Sequence, residues 1–138
     1  MKAICMNRLF VNNGDSFSIV MEGDIVDYTV NNGSFIINDT VLNSIAFFYH
    51  FKVTEGRDKM SYSDFEYILC NYIFITAVFF PNEYSGVRHL IIQNLTRSIL
   101  ITVNRTETAI RVSFENGQDT YSTYEEALDG IRNHVYDI

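Results

Sequence analysis

Three histidines, two cysteines and two close pairs of carboxylates are the groups in this sequence best suited to acid–base, nucleophilic or metal chemistry. A zinc site draws several His, Cys or acidic ligands from short, defined spacings. His50, His89 and His134 fall on separate predicted elements, with no HxH, HExxH or CxxC pattern, so each reads as a structural or surface residue. Cys5 lies in a predicted strand, and Cys70 sits at a predicted helix-to-strand junction among Leu69, Tyr72 and Ile73. A nucleophilic thiolate needs a base and an electropositive, partly exposed pocket. Apolar neighbours instead assign both thiols to packing. Asp24 and Asp27, three residues apart, point to opposite faces of a predicted strand and do not converge. Glu125 and Asp129 share a helix face at i, i+4 spacing, but that face turns away from the apolar stripe. GxSxG, P-loop and GxGxxG patterns are missing from the sequence, which removes the usual support for acyl-transfer, NTPase or dinucleotide chemistry. The expectation is a protein that is not an enzyme, with no catalytic residues, metal or cofactor.

Charge points elsewhere. Ten Lys and Arg face 17 Asp and Glu in 138 residues, a net −7 with a pI near 4.8. Phosphate neutralisation requires clustered basic residues, and the densest basic stretch, 52–59, also holds Glu55 and Asp58. Direct nucleic-acid binding is therefore not expected, whereas a basic protein is steered by the opposite field. The acid is concentrated in 107–138, where Glu107, Glu115, Asp119, Glu125, Glu126, Asp129 and Asp137 meet only Arg111 and Arg132. Tyr121 stands beside this acid. Tyrosine suits binding surfaces because its ring can bury while its hydroxyl stays satisfied. The expected partner-binding residues are Asp119, Tyr121, Glu125, Glu126 and Asp129, with Asp24 and Asp27 as a second patch.

These side chains need elements to position them. A chain that is 47% apolar and 14% aromatic is foldable at this length, and it reads as one compact domain over residues 1–138. Asn13-Gly14, Asn32-Gly33 and Asn116-Gly117 each supply residues tolerant of positive φ, as two-residue hairpin turns require. Segments 4–11 and 17–21 bracket the first, 25–30 and 35–37 the second, and 110–114 leads into the third. Alternation and aromatic content favour a strand at 46–53 over a helix at 41–51. Ser63 and Glu66 resemble a capping box that opens a helix to about residue 71. β-branched residues favour a strand at 72–80, ended by Pro81. Further strands are expected at 87–93, 99–104 and 108–114. Ser122 with Glu125 opens the last helix, whose stripe is Tyr124, Ala127, Leu128, Ile131 and Val135. The predicted class is α+β: a mainly antiparallel sheet with about two packed helices, including an amphipathic C-terminal helix. The apolar run 73–80 is too short to span a bilayer, and no signal peptide is evident, so a soluble cytoplasmic protein with reduced thiols is expected.

The acidic α+β build, the Asn-rich composition and the ending Phe114-Glu-Asn-Gly-Gln-Asp-Thr-Tyr-Ser-Thr-Tyr-Glu-Glu-Ala-Leu together resemble bacterial immunity proteins of contact-dependent growth inhibition systems. The resemblance is one of overall style and transfers no residue positions. It implies a cytoplasmic inhibitor of one cognate toxin, often a nuclease with a basic cleft. A phage-encoded anti-defence inhibitor or a secretion chaperone is the alternative among binding modules, and a small enzyme with an unrecognised site is the alternative outside them.

Overall fold

The computed structural model describes residues 1–14, 16–56, 59–74, 77–93 and 97–136, with the side chains of Asn13, Val135 and Tyr136 outside the described set. The chain divides into two compact units, Met1–Met60 and Ser61–Ile138. The class is α+β, with mainly antiparallel strands and three α-helices among the described residues rather than about two.

In Met1–Met60, the expected strand 4–11 is two: β1 (Lys2–Cys5) and β2 (Leu9–Asn13). The break falls at Met6 and Asn7, whose N–H groups both donate to the His50 carbonyl. β3 (Ser16–Val20) pairs with β2. The segment 25–30 likewise splits into β4 (Ile25–Asp27) and β5 (Thr29–Asn31) at Tyr28, whose N–H donates to the Met1 carbonyl. β6 (Ser34–Ile37) and β7 (Thr40–Leu42) complete a three-stranded meander with β5. Two tight turns build it. Asn32-Gly33 (φ 51° and 80°) and Asn38-Asp39 (φ 48° and 62°) both hold two consecutive positive-φ residues, the signature of a type I′ hairpin.

The expected strand over 46–53 is corrected: it is α1 (Ser44–His50) followed by β8 (Phe51–Glu55). Asn43 caps α1, its side-chain oxygen accepting from Ala46 N–H at 2.8 Å. Helical spacing puts Phe47 and Phe51 on one side, where their rings stack at 5.5 Å. Phe47 also lies 4.1 Å from Phe35 and 5.0 Å from Tyr28, centroid to centroid. A strand would put Phe47 and Phe48 on opposite faces, whereas the helix buries both. β8 then pairs with β1, giving the sheet order β4-β1-β8.

The second unit opens with α2 (Tyr62–Ile68), which runs into a π-helical turn at Leu69–Ile73. The cap is Ser61, accepting from Asp64 N–H, two residues before the expected Ser63. Five strands follow: β9 (Val78–Tyr84), β10 (Val87–Gln93), β11 (Ser98–Val103), β12 (Ile110–Phe114) and β13 (Gly117–Tyr121). They form an antiparallel meander in the order β13-β12-β11-β10-β9. The expected strand 72–80 is therefore corrected in part: 72–73 are helical, 75–76 lie outside the described residues, and β9 begins at Val78. Pro81 does not end it. β9 is an edge strand, where a missing N–H removes no ladder bond. Ser85-Gly86 (φ 53° and 81°) turns β9 into β10. The β12–β13 turn is Glu115-Asn116, because Phe114 pairs with Gly117, one residue earlier than the Asn-Gly pair suggests.

α3 (Tyr124–Tyr136) packs on β12 and β13. Tyr124, Ala127, Leu128 and Ile131 are buried as the stripe requires, while the side chain of Val135 lies outside the described residues. Its cap is shifted by one residue from the expected Ser122–Glu125 pair. Thr123 Oγ1 accepts from Glu126 N–H at 3.1 Å, and the Glu126 carboxylate accepts from Ser122 N–H at 3.3 Å. This resembles a capping box, except that the carboxylate reaches the N–H of the residue before the cap. No helix among the described residues is long and apolar enough to cross a membrane.

Candidate functional site

The acidic segment is built by β13 and the first half of α3. Asp119 and Tyr121 alternate with Gln118 and Thr120 along the edge strand, and their register partners Val112 and Ile110 are fully buried. They thus belong to the face that α3 covers. Tyr121 is half-buried against α3 at Gly130, where a Cβ would overlap the tyrosine ring and hydroxyl. Asp119 precedes Tyr121 by two residues on the same face of β13, and Asp129 adjoins Gly130, on which the ring sits. Burial, then Asp119 and then Asp129, raise the Tyr121 pKa. Glu125 stands one turn before Asp129 on the same helix face. Both are half-buried and make interactions within the chain. Arg132, on the same flank, is buried to 7% exposure. Glu126 is exposed but serves the helix cap.

The second patch belongs to the Met1–Met60 unit. Asp27 faces Lys2 across the β1–β4 ladder and pairs with its ammonium at 2.9 Å. Their hydrogen bond and mutual attraction lower the Asp27 pKa and raise that of Lys2. Asp24 accepts from Met21 N–H at 2.9 Å and closes the turn before β4. Both aspartates are exposed, but each has a local structural task.

Each of the three histidines has a contact within the chain. His50 Nδ1 lies 2.9 Å from the Asn7 carbonyl, and Asn7 donates to the Tyr49 carbonyl, tying the end of α1 to the β1–β2 break. His89 meets Thr102 Oγ1 at 3.5 Å. His134 stacks on Phe114 at 3.8 Å and 27°, and together they wall a cleft of about 410 Å³ with Arg97, Ser98, Glu115 and Asn116. No group of three or more His, Cys, Asp or Glu poised to hold a metal ion occurs among the described residues.

Cys5 is buried, its thiol near the Asn7 and Val20 carbonyls; Cys70 is half-buried in the π-helical turn. Burial pushes both thiols up to about 11, helped by Glu22 and Asp24 at Cys5 and by Glu66 at Cys70. The folded state therefore favours the protonated thiols. Stability from this source is complete below the ordinary value of 9.0 and is lost as pH rises through about 11. Neither thiol should react measurably with a disulfide reagent at about pH 8 in the folded protein, and both should react once it is unfolded. Labelling of native Cys70 at the rate of an exposed thiol would contradict this.

One constellation was not legible beforehand. Arg88 on β10 lies over the Tyr62 ring, 4.4 Å from its centroid. It also approaches Glu107 Oε1 at 3.4 Å, and the Tyr124 hydroxyl donates to that same oxygen at 2.6 Å. Burial and the neighbouring carboxylates, Glu66 at Tyr62 and Glu107 at Tyr124, raise both phenol pKa values. Shallow clefts of about 220 and 190 Å³ flank Arg88, lined in part by Glu66, Glu83 and Glu107. Three elements and the β11–β12 loop supply these residues at long sequence spacing, so no motif could announce them. Comparison with family models, with curated proteins and with solved structures gave no match.

Proposed function

We propose that this chain acts by binding another protein, as an immunity-type inhibitor whose acidic carboxyl-terminal segment occludes the basic cleft of a cognate toxin of the nuclease kind in the cytoplasm. The observation that carries the reading is the grouping of Asp119 and Asp129 about the half-buried Tyr121, with Glu125 one turn away. Carboxylates held on an edge strand and a helix can stand in for substrate phosphates. A tyrosine already seated on its own helix loses little freedom on binding. Long-range charge then sets the association rate, and desolvated contacts set the dissociation rate.

The test is capture with the product of the adjacent gene, followed by titration of the pure pair. Asp119→Lys with Glu125→Lys should weaken binding about tenfold to a hundredfold, most strongly at low salt. Glu55→Lys, an exposed reversal at the end of β8, should leave affinity unchanged. Equal affinity of the double variant and the parent at low salt would remove the acidic segment from the interface. Glu126 is left out of the test because its reversal would also break the α3 cap.

A second reading, a small-molecule site, draws on the cleft that gathers His134, Arg97 and Glu115 beside a stacked ring pair. A thermal-shift screen against small anions and phosphate esters tests it. A saturable shift abolished by His134→Ala supports a ligand there, and no shift from any compound discards it.

A further inference from the structure

The outer face of the five-stranded sheet combines exposed apolar side chains with an absence of acid. Register places Phe80, Ile91 and Leu100 in one row across β9, β10 and β11, with Val78 in the adjacent row on the same face. Their exposures are 49%, 38%, 38% and 57% respectively. The next row is Asn82, His89, Thr102, Arg111 and Thr120. In a chain of net −7, the strand residues of this face include no carboxylate. The sheet acids Glu83 and Asp119 both alternate to the helix-covered side, in register with Arg88 and Val112.

From this we infer that the outer face of the β9–β13 sheet is a self-association surface, on which a second copy of this chain docks face to face. A basic partner finds no opposite charge there. A second acidic chain, in contrast, meets an apolar row with no acid to repel it. Pro81 in β9 opposes continuation of the sheet across that edge, so the faces rather than the edges meet. Five strands about 4.8 Å apart and about six residues long, rising about 3.4 Å each, give a face of roughly 480 Å². Two such faces bury on the order of 1,000 Å², the lower bound of a specific interface. Association in the micromolar range follows, and it should persist in high salt, unlike the toxin contact proposed above.

Sedimentation velocity reads the stoichiometry. The parent protein should shift from monomer to dimer as its concentration rises from about 1 µM to roughly 1 mM. Ile91→Lys and Leu100→Lys, each checked for an unchanged far-UV spectrum, should remain monomeric throughout. Tyr67→Lys, an exposed aromatic on α2, should dimerise like the parent. A parent that stays monomeric over the range overturns the inference. So does a dimer that both sheet variants preserve, or one that Tyr67→Lys alone abolishes. If either sheet variant loses its spectrum, Thr102→Lys on the same face takes its place, with the same two outcomes.

Discussion

Replacing Phe47 by alanine should lower the unfolding free energy by about 3–5 kcal/mol, the range for deleting a fully buried aromatic side chain. Phe47 has no exposed surface, and its ring meets those of Tyr28, Phe35, Phe48 and Phe51 within 5.5 Å, centroid to centroid. Four rings around one cannot all move into the space it leaves, so a cavity term adds to the lost transfer energy. Phe47→Leu retains most of the volume and should cost about half as much. Denaturant melts read by near-UV circular dichroism supply the numbers. A Phe47→Ala loss below about 1 kcal/mol would mean that this cluster does not organise the Met1–Met60 unit.

The second large effect concerns a glycine in the middle of α3. Helix propensity alone gives Gly130→Ala a gain of about 1 kcal/mol. The expected result is the reverse, a loss of about 1–3 kcal/mol. A Cβ at 130 would lie 2.5 Å from Tyr121 Cζ and 3.0 Å from Cε1, so the ring must leave its seat on the helix. A double-mutant cycle isolates the cause. In a Tyr121→Ala background the same substitution should become stabilising, because only the propensity remains. No change of sign would show that Tyr121 does not set the need for glycine here. Since Tyr121 is also the proposed centre of the acidic surface, Gly130→Ala should weaken partner binding even though residue 130 carries no functional group.

What was legible in the sequence follows physical lines. The strands at 87–93, 99–104 and 108–114 and the stripe of α3 rest on periodicity, and burial enforces periodicity wherever one face meets a core. Asn32-Gly33 was legible because both of its residues occupy the positive-φ turn positions. The same dipeptide at 116–117 sits one place late, with Gly117 already paired in β13. Asn38-Asp39 and Ser85-Gly86 adopt positive-φ turns without the Asn-Gly pair that marks such turns in a sequence. At 46–53 a single strong side-chain cap, Asn43, and the burial of Phe47 outweighed the β preference of a run of aromatics. The acidic site was partly legible. Spacing placed Glu125 and Asp129 together, but only tertiary structure could divert Glu126 to a cap, give Asp27 to Lys2, or seat Tyr121 on Gly130. The Tyr62–Arg88–Glu107–Tyr124 chain was beyond reach, because its members meet only after the sheet and both helices are in place.

The two units also differ in how far along the chain each strand must search for its neighbour. In Ser61–Ile138 every strand pairs with the next one in sequence, so the sheet can zip hairpin by hairpin with small loop-closure entropy at each step. In Met1–Met60, β1 has no partner until residues 25–27 and 51–55 arrive to flank it. Its ladder closes loops of tens of residues before any contact repays them. The meander should therefore register early in refolding, and the sheet around β1 should be the slow phase, the one whose backbone amides gain protection last.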